Sequence, residues 1–148
     1  VKEQSAPFDQ LRRGVDCVGC GRLIKLNRKR LNRTMMQYLY ALYTLRASGW
    51  IQASRIRIAA RAVPGAINQI QTGDYAVLTV WGLTELWVGK PGFARITSRG
   101  IAFVEKREVV PGAVFLWNDK NEFYRFDANT PLVSFDDAAR TSFEFADL

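Results

Sequence analysis

The sequence predicts an α+β fold, and three observations carry that prediction. Met35, Met36, Leu39, Tyr40, Leu42, Tyr43 and Leu45 recur at the separations of three and four that align side chains along a helix. Between Asp74 and Lys106 an apolar helix-like run precedes two short alternating runs, which flank a polar loop, Gly89-Lys90-Pro91-Gly92, and lead into another amphipathic segment. Nearer the C-terminus, Ala113-Val114-Phe115-Leu116-Trp117 and Glu122-Phe123-Tyr124-Arg125-Phe126 flank Asn118-Asp119-Lys120-Asn121, the composition of a β-hairpin. A chain of 148 residues, 48% hydrophobic, suits one domain with a sizeable core. Three segments are expected: a basic N-terminal segment with a CxxCG turn over 1–33, a core over 34–106, and a β-hairpin with an acidic tail packed on that core over 107–148.

Taken in order, residues 1–16 are mixed and polar, with Phe8 and Leu11 as one anchor pair for a loosely docked lead-in. Cys17-Val18-Gly19-Cys20-Gly21 has the shape of a zinc knuckle, in which two thiolates reach one metal from a tight turn. Structural zinc takes four ligands, and the chain has no further Cys and no His. Three readings stay open: zinc shared between the Cys17 and Cys20 pairs of two chains or completed by a carboxylate such as Asp16, a disulfide or redox pair, and a metal-free turn.

The run from Arg22 to Arg33 follows, with Arg22, Lys25, Arg28, Lys29, Arg30 and Arg33 basic and no acidic residue among them. Forked arginine donors suit phosphate, so this run is a candidate phosphate contact, against the plainer reading of a solvated face. Asn32 or Thr34 caps a helix reaching Ser48, and Gly49 closes it. Trp50-Ile51-Gln52-Ala53 reads as a short strand. Ser54 is the expected cap of a second helix from Arg55 to Ala62, with Ile56, Ile58, Ala59, Ala60 and Val63 as its apolar face. Arg55, Arg57 and Arg61 line another side, and Pro64-Gly65 ends the helix. Ala66 to Gly73 is polar and irregular, and Asp74 is a plausible cap for the next helix. Ser98 to Lys106 reads as a short helix with Ile101, Ala102 and Val104 inward, and Val109-Val110-Pro111-Gly112 as a turn. The tail carries Asp136, Asp137, Glu144 and Asp147, with Phe143, Phe145 and Leu148 available to dock it.

Charge constrains the partners. The net charge is +7, and residues 1–62 hold 13 Lys/Arg against 3 Asp/Glu, whereas residues 63–148 hold 8 against 11. A positive field of this kind attracts polyanions, and nucleic acid is the first candidate. The absence of histidine excludes Ser-His-Asp and Cys-His catalysis. Carboxylates are scattered apart from Asp136-Asp137, so a metal-dependent nuclease is not expected, and no enzymatic activity is assigned. No apolar run approaches the ~20 residues that span a bilayer, and Val1-Lys2-Glu3-Gln4-Ser5 lacks the apolar stretch of a signal peptide. A cytoplasmic protein without a membrane partner is expected.

Two motifs carry a resemblance. Leu78-Thr79-Val80-Trp81-Gly82-Leu83-Thr84-Glu85 resembles the passage from recognition helix to first wing strand in winged helix-turn-helix regulators of the MarR-like and related groups. Arg95-Ile96-Thr97-Ser98-Arg99-Gly100-Ile101-Ala102-Phe103 resembles the end of their second wing strand and the start of the next helix. The resemblance covers residues 34–106 and implies a winged helix-turn-helix core that places a helix in the major groove of DNA and a basic loop on the backbone. It places the recognition helix near Asn68 to Trp81, with Asn68, Gln69, Gln71, Thr72 and Thr79 as outward side chains, Lys90 on the wing, Arg95 at its base, and Arg99 at the N-terminus of the next helix. This helix has no Lys or Arg, a departure from the usual pattern. The full chain, with CxxCG, the basic run, the wing and the hairpin, is also similar to small bacteriophage and prophage proteins, which implies a bacterial host cell and no particular activity.

The expected function is nucleic-acid binding, with double-stranded DNA as the ligand and a regulatory or replication-associated role. The alternative is an interaction module that binds a host or phage protein complex without reading DNA sequence. Trp81, Trp87 and Trp117 are either its contact surface or ordinary core. A homodimer is compatible with both readings, because winged-helix regulators commonly pair to read two half-sites.

Overall fold

The computed structural model describes residues 8–16, 23–62, 74–117 and 122–140. It is an α+β chain whose elements gather around α2, Arg33–Thr44. Asn32 caps this helix, its side-chain oxygen accepting from the Met35 N–H at 3.1 Å. Seven of the twelve helical residues are buried, including Gln37, Tyr38 and Ala41 outside the expected stripe. Tyr40, Tyr43 and Leu45 from that stripe are half-buried at its margin. A helix buried over this much of its circumference is enclosed on several sides, beyond a single amphipathic face.

A short strand and a helix follow, β4 (Ile51–Gln52) and α3 (Ala53–Arg61). The helix starts before the expected Ser54 cap, and no side chain caps it. The reason is tertiary: the Ala53 N–H donates to the Gly92 carbonyl at 2.8 Å, so a distant loop takes up an N-terminal donor. Ile56 and Ala60 are fully buried, one helical turn apart, whereas Ile58 points outward and is 67% exposed, against the expected inward face. Val63 lies outside the described residues. Gln37 of α2 donates to the Ala60 carbonyl at 2.9 Å and so satisfies a C-terminal acceptor of α3.

The next helix, α4 (Asp74–Leu78), tightens into a 3-10 turn over Thr79–Trp81. Gly82 ends it at φ 75, a left-handed conformation suited to glycine. Trp81 is buried, and its indole N–H donates to the Pro111 carbonyl at 2.7 Å. Then come β5 (Thr84–Leu86), the loop 87–92, and β6 (Phe93–Ile96). The sheet order is β4-β6-β5, antiparallel throughout. Ile51, Thr84, Ala94 and Ile96 face the core, and Glu85 pairs with Arg95 across the outer face. The first strand of this pair stops at Leu86, and Trp87 and Val88 belong to the loop.

The helix expected from Ser98 to Lys106 is α5 (Ser98–Val104), capped by Thr97; the Thr97 hydroxyl accepts from the Gly100 N–H at 3.0 Å. Phe103 and Val104 are its buried apolar side chains, while Ile101 and Ala102 are only half-buried. Gly100 is where α5 meets the start of the β5–β6 hairpin. A Cβ there would stand 2.1 Å from the Leu83 carbonyl oxygen and 2.6 Å from Ile96 Cγ1.

The hairpin predicted near the C-terminus forms as β8 (Ala113–Trp117) and β9 (Glu122–Phe126). The basic N-terminal run supplies β3 (Leu26–Arg30), antiparallel to β8, so the second sheet has the order β3-β8-β9. The boundaries expected at 33 and 107 therefore join through one sheet. Before β3, β1 (Val15–Asp16) pairs with β2 (Leu23–Ile24). The lead-in is docked: α1 (Phe8–Arg13) buries Leu11, sets Phe8 edge-on to Phe115 at 4.9 Å, and donates from Arg12 Nη1 to the Leu26 carbonyl at 2.8 Å. The expected turn at Val109 to Gly112 contains a strand, β7 (Val110–Pro111), paired with β10 (Leu132–Val133). Asp136 and Asp137 lie in the first turn of α6 (Phe135–Ala139), where Asp137 completes a capping box with Ser134. Glu144, Asp147, Phe143, Phe145 and Leu148 lie outside the described residues. One core cluster runs from Leu31 through α2, Trp81 and Phe103 to Val110, Val114, Leu116 and Ala138.

Gly100→Ala should destabilise the chain by about 1–3 kcal/mol through overpacking, although alanine is the better helix former. The measurement is the midpoint of urea denaturation, expected to fall.

Candidate nucleic-acid interface

The basic run behaves as a strand, and a strand sends alternate side chains to opposite faces. Leu26, Arg28 and Arg30 share one face and Asn27 and Lys29 the other, in register with Trp117 to Ala113. The Arg28 face is the one against which α1 packs, through Phe8 on Phe115 and Arg12 on the Leu26 carbonyl. Arg28 is tied into that region: its Nε donates to Asp127 Oδ2 at 2.9 Å and its Nη2 to Thr130 Oγ1 at 2.8 Å. Thr130 in turn donates to Asp127 Oδ2 at 2.8 Å. Arg28 thus links β3 to the loop after β9. Lys25, Lys29 and Arg30 are half-buried, and Arg33 is exposed at the start of α2. Arg22 lies outside the described residues, as do Cys17, Cys20, Asn68, Gln69, Gln71 and Thr72. Among the described residues no group of three or more Cys, Asp or Glu is placed to hold a metal ion. Thr79 donates to the Ala76 carbonyl at 2.6 Å and is half-buried.

A second basic region forms around the 87–92 loop. Arg55 and Arg61 of α3 are exposed and Arg57 is half-buried. The Ala53–Gly92 hydrogen bond holds the start of α3 against this loop. Arg95 pairs with Glu85, and its guanidinium carbon lies 4.3 Å from the Trp50 ring centroid. Arg99 donates to Glu108 and to the Trp81 carbonyl, each at 3.1 Å. Arg95 and Arg99, with Arg46, line an open cleft of about 610 Å³ whose carboxylate is Glu85. Arg46 is held by the Tyr43 carbonyl at 2.7 Å and lies 4.0 Å from the Tyr43 ring centroid.

Sequence reasoning missed Arg46, Trp50 and the aromatic character of this region. Trp50 and Trp87 stack with centroids 5.5 Å apart and planes at 24°, and Phe93 meets Trp87 edge-on at 5.7 Å. Lys90 Nζ lies 4.7 Å from the Phe93 centroid and 5.7 Å from that of Trp87. The available signal was the recurrence of Trp at both ends of a predicted small sheet. Of the remaining tryptophans, Trp81 is core and Trp117 is half-buried against Tyr124.

Burial acts to raise the Asp127 pKa, but hydrogen bonds from Arg28, Thr130 and the Asn129 N–H, together with the Arg28 charge, outweigh it. They hold the carboxyl below its ordinary 3.8. A depressed folded pKa gives stability that is present above the unfolded value and is lost as pH falls through the folded one. Asp127→Asn should lower stability at neutral pH by about 1–3 kcal/mol and should flatten the loss of stability below about pH 4. Urea denaturation across acid and neutral pH measures both.

The chain matches no protein-family model, no curated protein and no solved structure.

Proposed function

We propose that this chain is a winged helix-turn-helix protein that binds nucleic acid, with double-stranded DNA as the ligand and a regulatory or replication-associated role in a phage-like setting. The observation that carries the reading is the order of elements: α2, β4, α3, α4, β5, loop, β6, with the strands arranged β4-β6-β5. In that arrangement the 87–92 loop is the wing and the segment ending at Trp81 is the groove-facing helix. Charge supports it, since Arg55, Arg61 and Lys90 are exposed on α3 and the wing, the pair of elements joined by the Ala53–Gly92 bond. Lys25, Lys29 and Arg33 extend the phosphate-binding potential along β3 and the start of α2. Arg28 is assigned to holding the fold, because its guanidinium is committed to Asp127 and Thr130.

One observation favours a second reading, an interaction module for a host or phage protein complex: Ile58 stands 67% exposed on the arginine-bearing helix. Association that survives nuclease treatment and is lost in Ile58→Asp would favour it.

Phosphate contacts make affinity fall with salt, by about 0.9 in the log–log slope for each contact on duplex DNA. Replacing Arg55, Arg61 and Lys90 together by alanine should weaken binding to all duplex sequences alike and flatten that slope. Fluorescence anisotropy over a salt series reads both quantities. An unchanged affinity and slope in a folded triple variant would remove this assignment.

A further inference from the structure

We propose that the wing is a stacking platform for an unpaired base, so that the DNA this chain prefers carries a single-stranded segment. This rests on the nucleic-acid reading above and names its substrate. Trp87 leaves β5 with 40% of its surface exposed, and Val88 beside it is 98% exposed. A tryptophan buries a large apolar area when it enters a core, and Trp81 does so in this chain. Trp87 is held at the rim instead, nearly parallel to Trp50. The Trp50–Trp87 pair is thus an offset aromatic stack that a planar base can extend.

Cations accompany the stack. The Arg95 guanidinium lies over Trp50, and the Lys90 ammonium lies over the Phe93 and Trp87 rings. A base that takes the place of the flexible Lys90 side chain over Trp87 leaves that ammonium next to the backbone it carries, so the loop offers an aromatic platform for the base and a positive charge for the phosphate. Such pairings bind single strands with little sequence preference, because every base has a π-face. In a duplex those faces are already covered by neighbouring base pairs, so a frayed end, a tail or a single strand is the form that can use Trp87. The stack also accounts for an α4 segment without Lys or Arg: affinity then comes from stacking and phosphate contact more than from base edges in the major groove.

The test uses the full chain with three labelled DNA probes: a blunt duplex, the same duplex with a single-stranded tail, and the tail strand alone. The tailed duplex and the single strand should bind more tightly than the blunt duplex, and the single strand should quench tryptophan fluorescence. Trp87→Ala should lose about 5- to 100-fold on the tailed probe, the range expected for one stacked base, with little change on the blunt duplex. Trp87→Phe keeps an aromatic ring and should retain most of the affinity while losing the quench, a check that does not depend on how well the alanine variant folds. Equal affinity of the wild type for blunt and tailed duplexes overturns the proposal and leaves duplex binding standing, as does an equal loss on both probes in Trp87→Ala. Failure to bind any of the three overturns the nucleic-acid reading itself.

Discussion

The structure depends on the enclosure of α2. A helix with Met35, Met36, Tyr38, Leu39, Ala41 and Leu42 all buried has no stable place at a surface, so other elements must cover it. α3, α4, α5 and α6 each lie against it, and β6 reaches it from the small sheet. Gln37, a buried polar side chain on it, closes a carbonyl of α3. The functional consequence is positional. The arginines of α3 and the loop between β5 and β6 are fixed relative to each other because both elements are anchored to one helix.

Positive charge in this chain is divided between structure and surface by the periodicity of the backbone. In β3, Arg28 and Arg30 share the Leu26 face, where α1 and the loop after β9 close over the strand, and Arg28 meets a carboxylate there. A partly buried arginine would be costly without such a partner. Around the β5–β6 hairpin, Arg95 and Arg99 keep much of their side chains in solvent even though Glu85 and Glu108 pair with them. Exposed pairs of this kind are worth little in stability and exchange readily for a phosphate. The density of basic residues in the sequence therefore overstates how much of the β3 run is open to solvent and understates the basic cluster around the β5–β6 hairpin.

What was legible in the sequence was local. The β8–β9 hairpin has its expected residues because alternation and turn composition act between neighbours, and Asn32 caps α2 because capping acts within one turn. The capping role of Asp137 is equally short-range. What was not legible depends on partners far along the chain. The β3–β8 pairing joins segments that no periodicity connects, and the same pairing logic turns Val110–Pro111 from a turn into a strand beside Leu132–Val133. Ser54 loses its capping role to a carbonyl at Gly92, and the outward turn of Ile58 follows from which side of α3 meets α2. Of the candidate site residues, Arg95 and Arg99 are brought together, with Arg46, around one cleft. The Trp50–Trp87 stack stayed hidden because its two rings flank β4 and β5, strands that are neighbours only through β6.

The rigidity of the base of the β5–β6 hairpin bears on what its loop can do. Thr97 donates to the Gly82 carbonyl at 2.6 Å while accepting from Gly100, and its N–H donates to the Leu83 carbonyl at 3.0 Å. The missing Cβ of Gly100 lets α5 lie directly on that carbonyl. These bonds lock both ends of the β5–β6 hairpin to α5, and the Trp87 N–H to Phe93 carbonyl bond at 3.0 Å continues the lock to the loop. A loop held in this way loses little further freedom when a ligand arrives, so more of each contact's energy remains as affinity. Exposed aromatic rings on a mobile loop would collapse onto nearby apolar surface. Held on this base and stacked on Trp50, Trp87 stays presented to solvent, and its exposure is imposed by the fold.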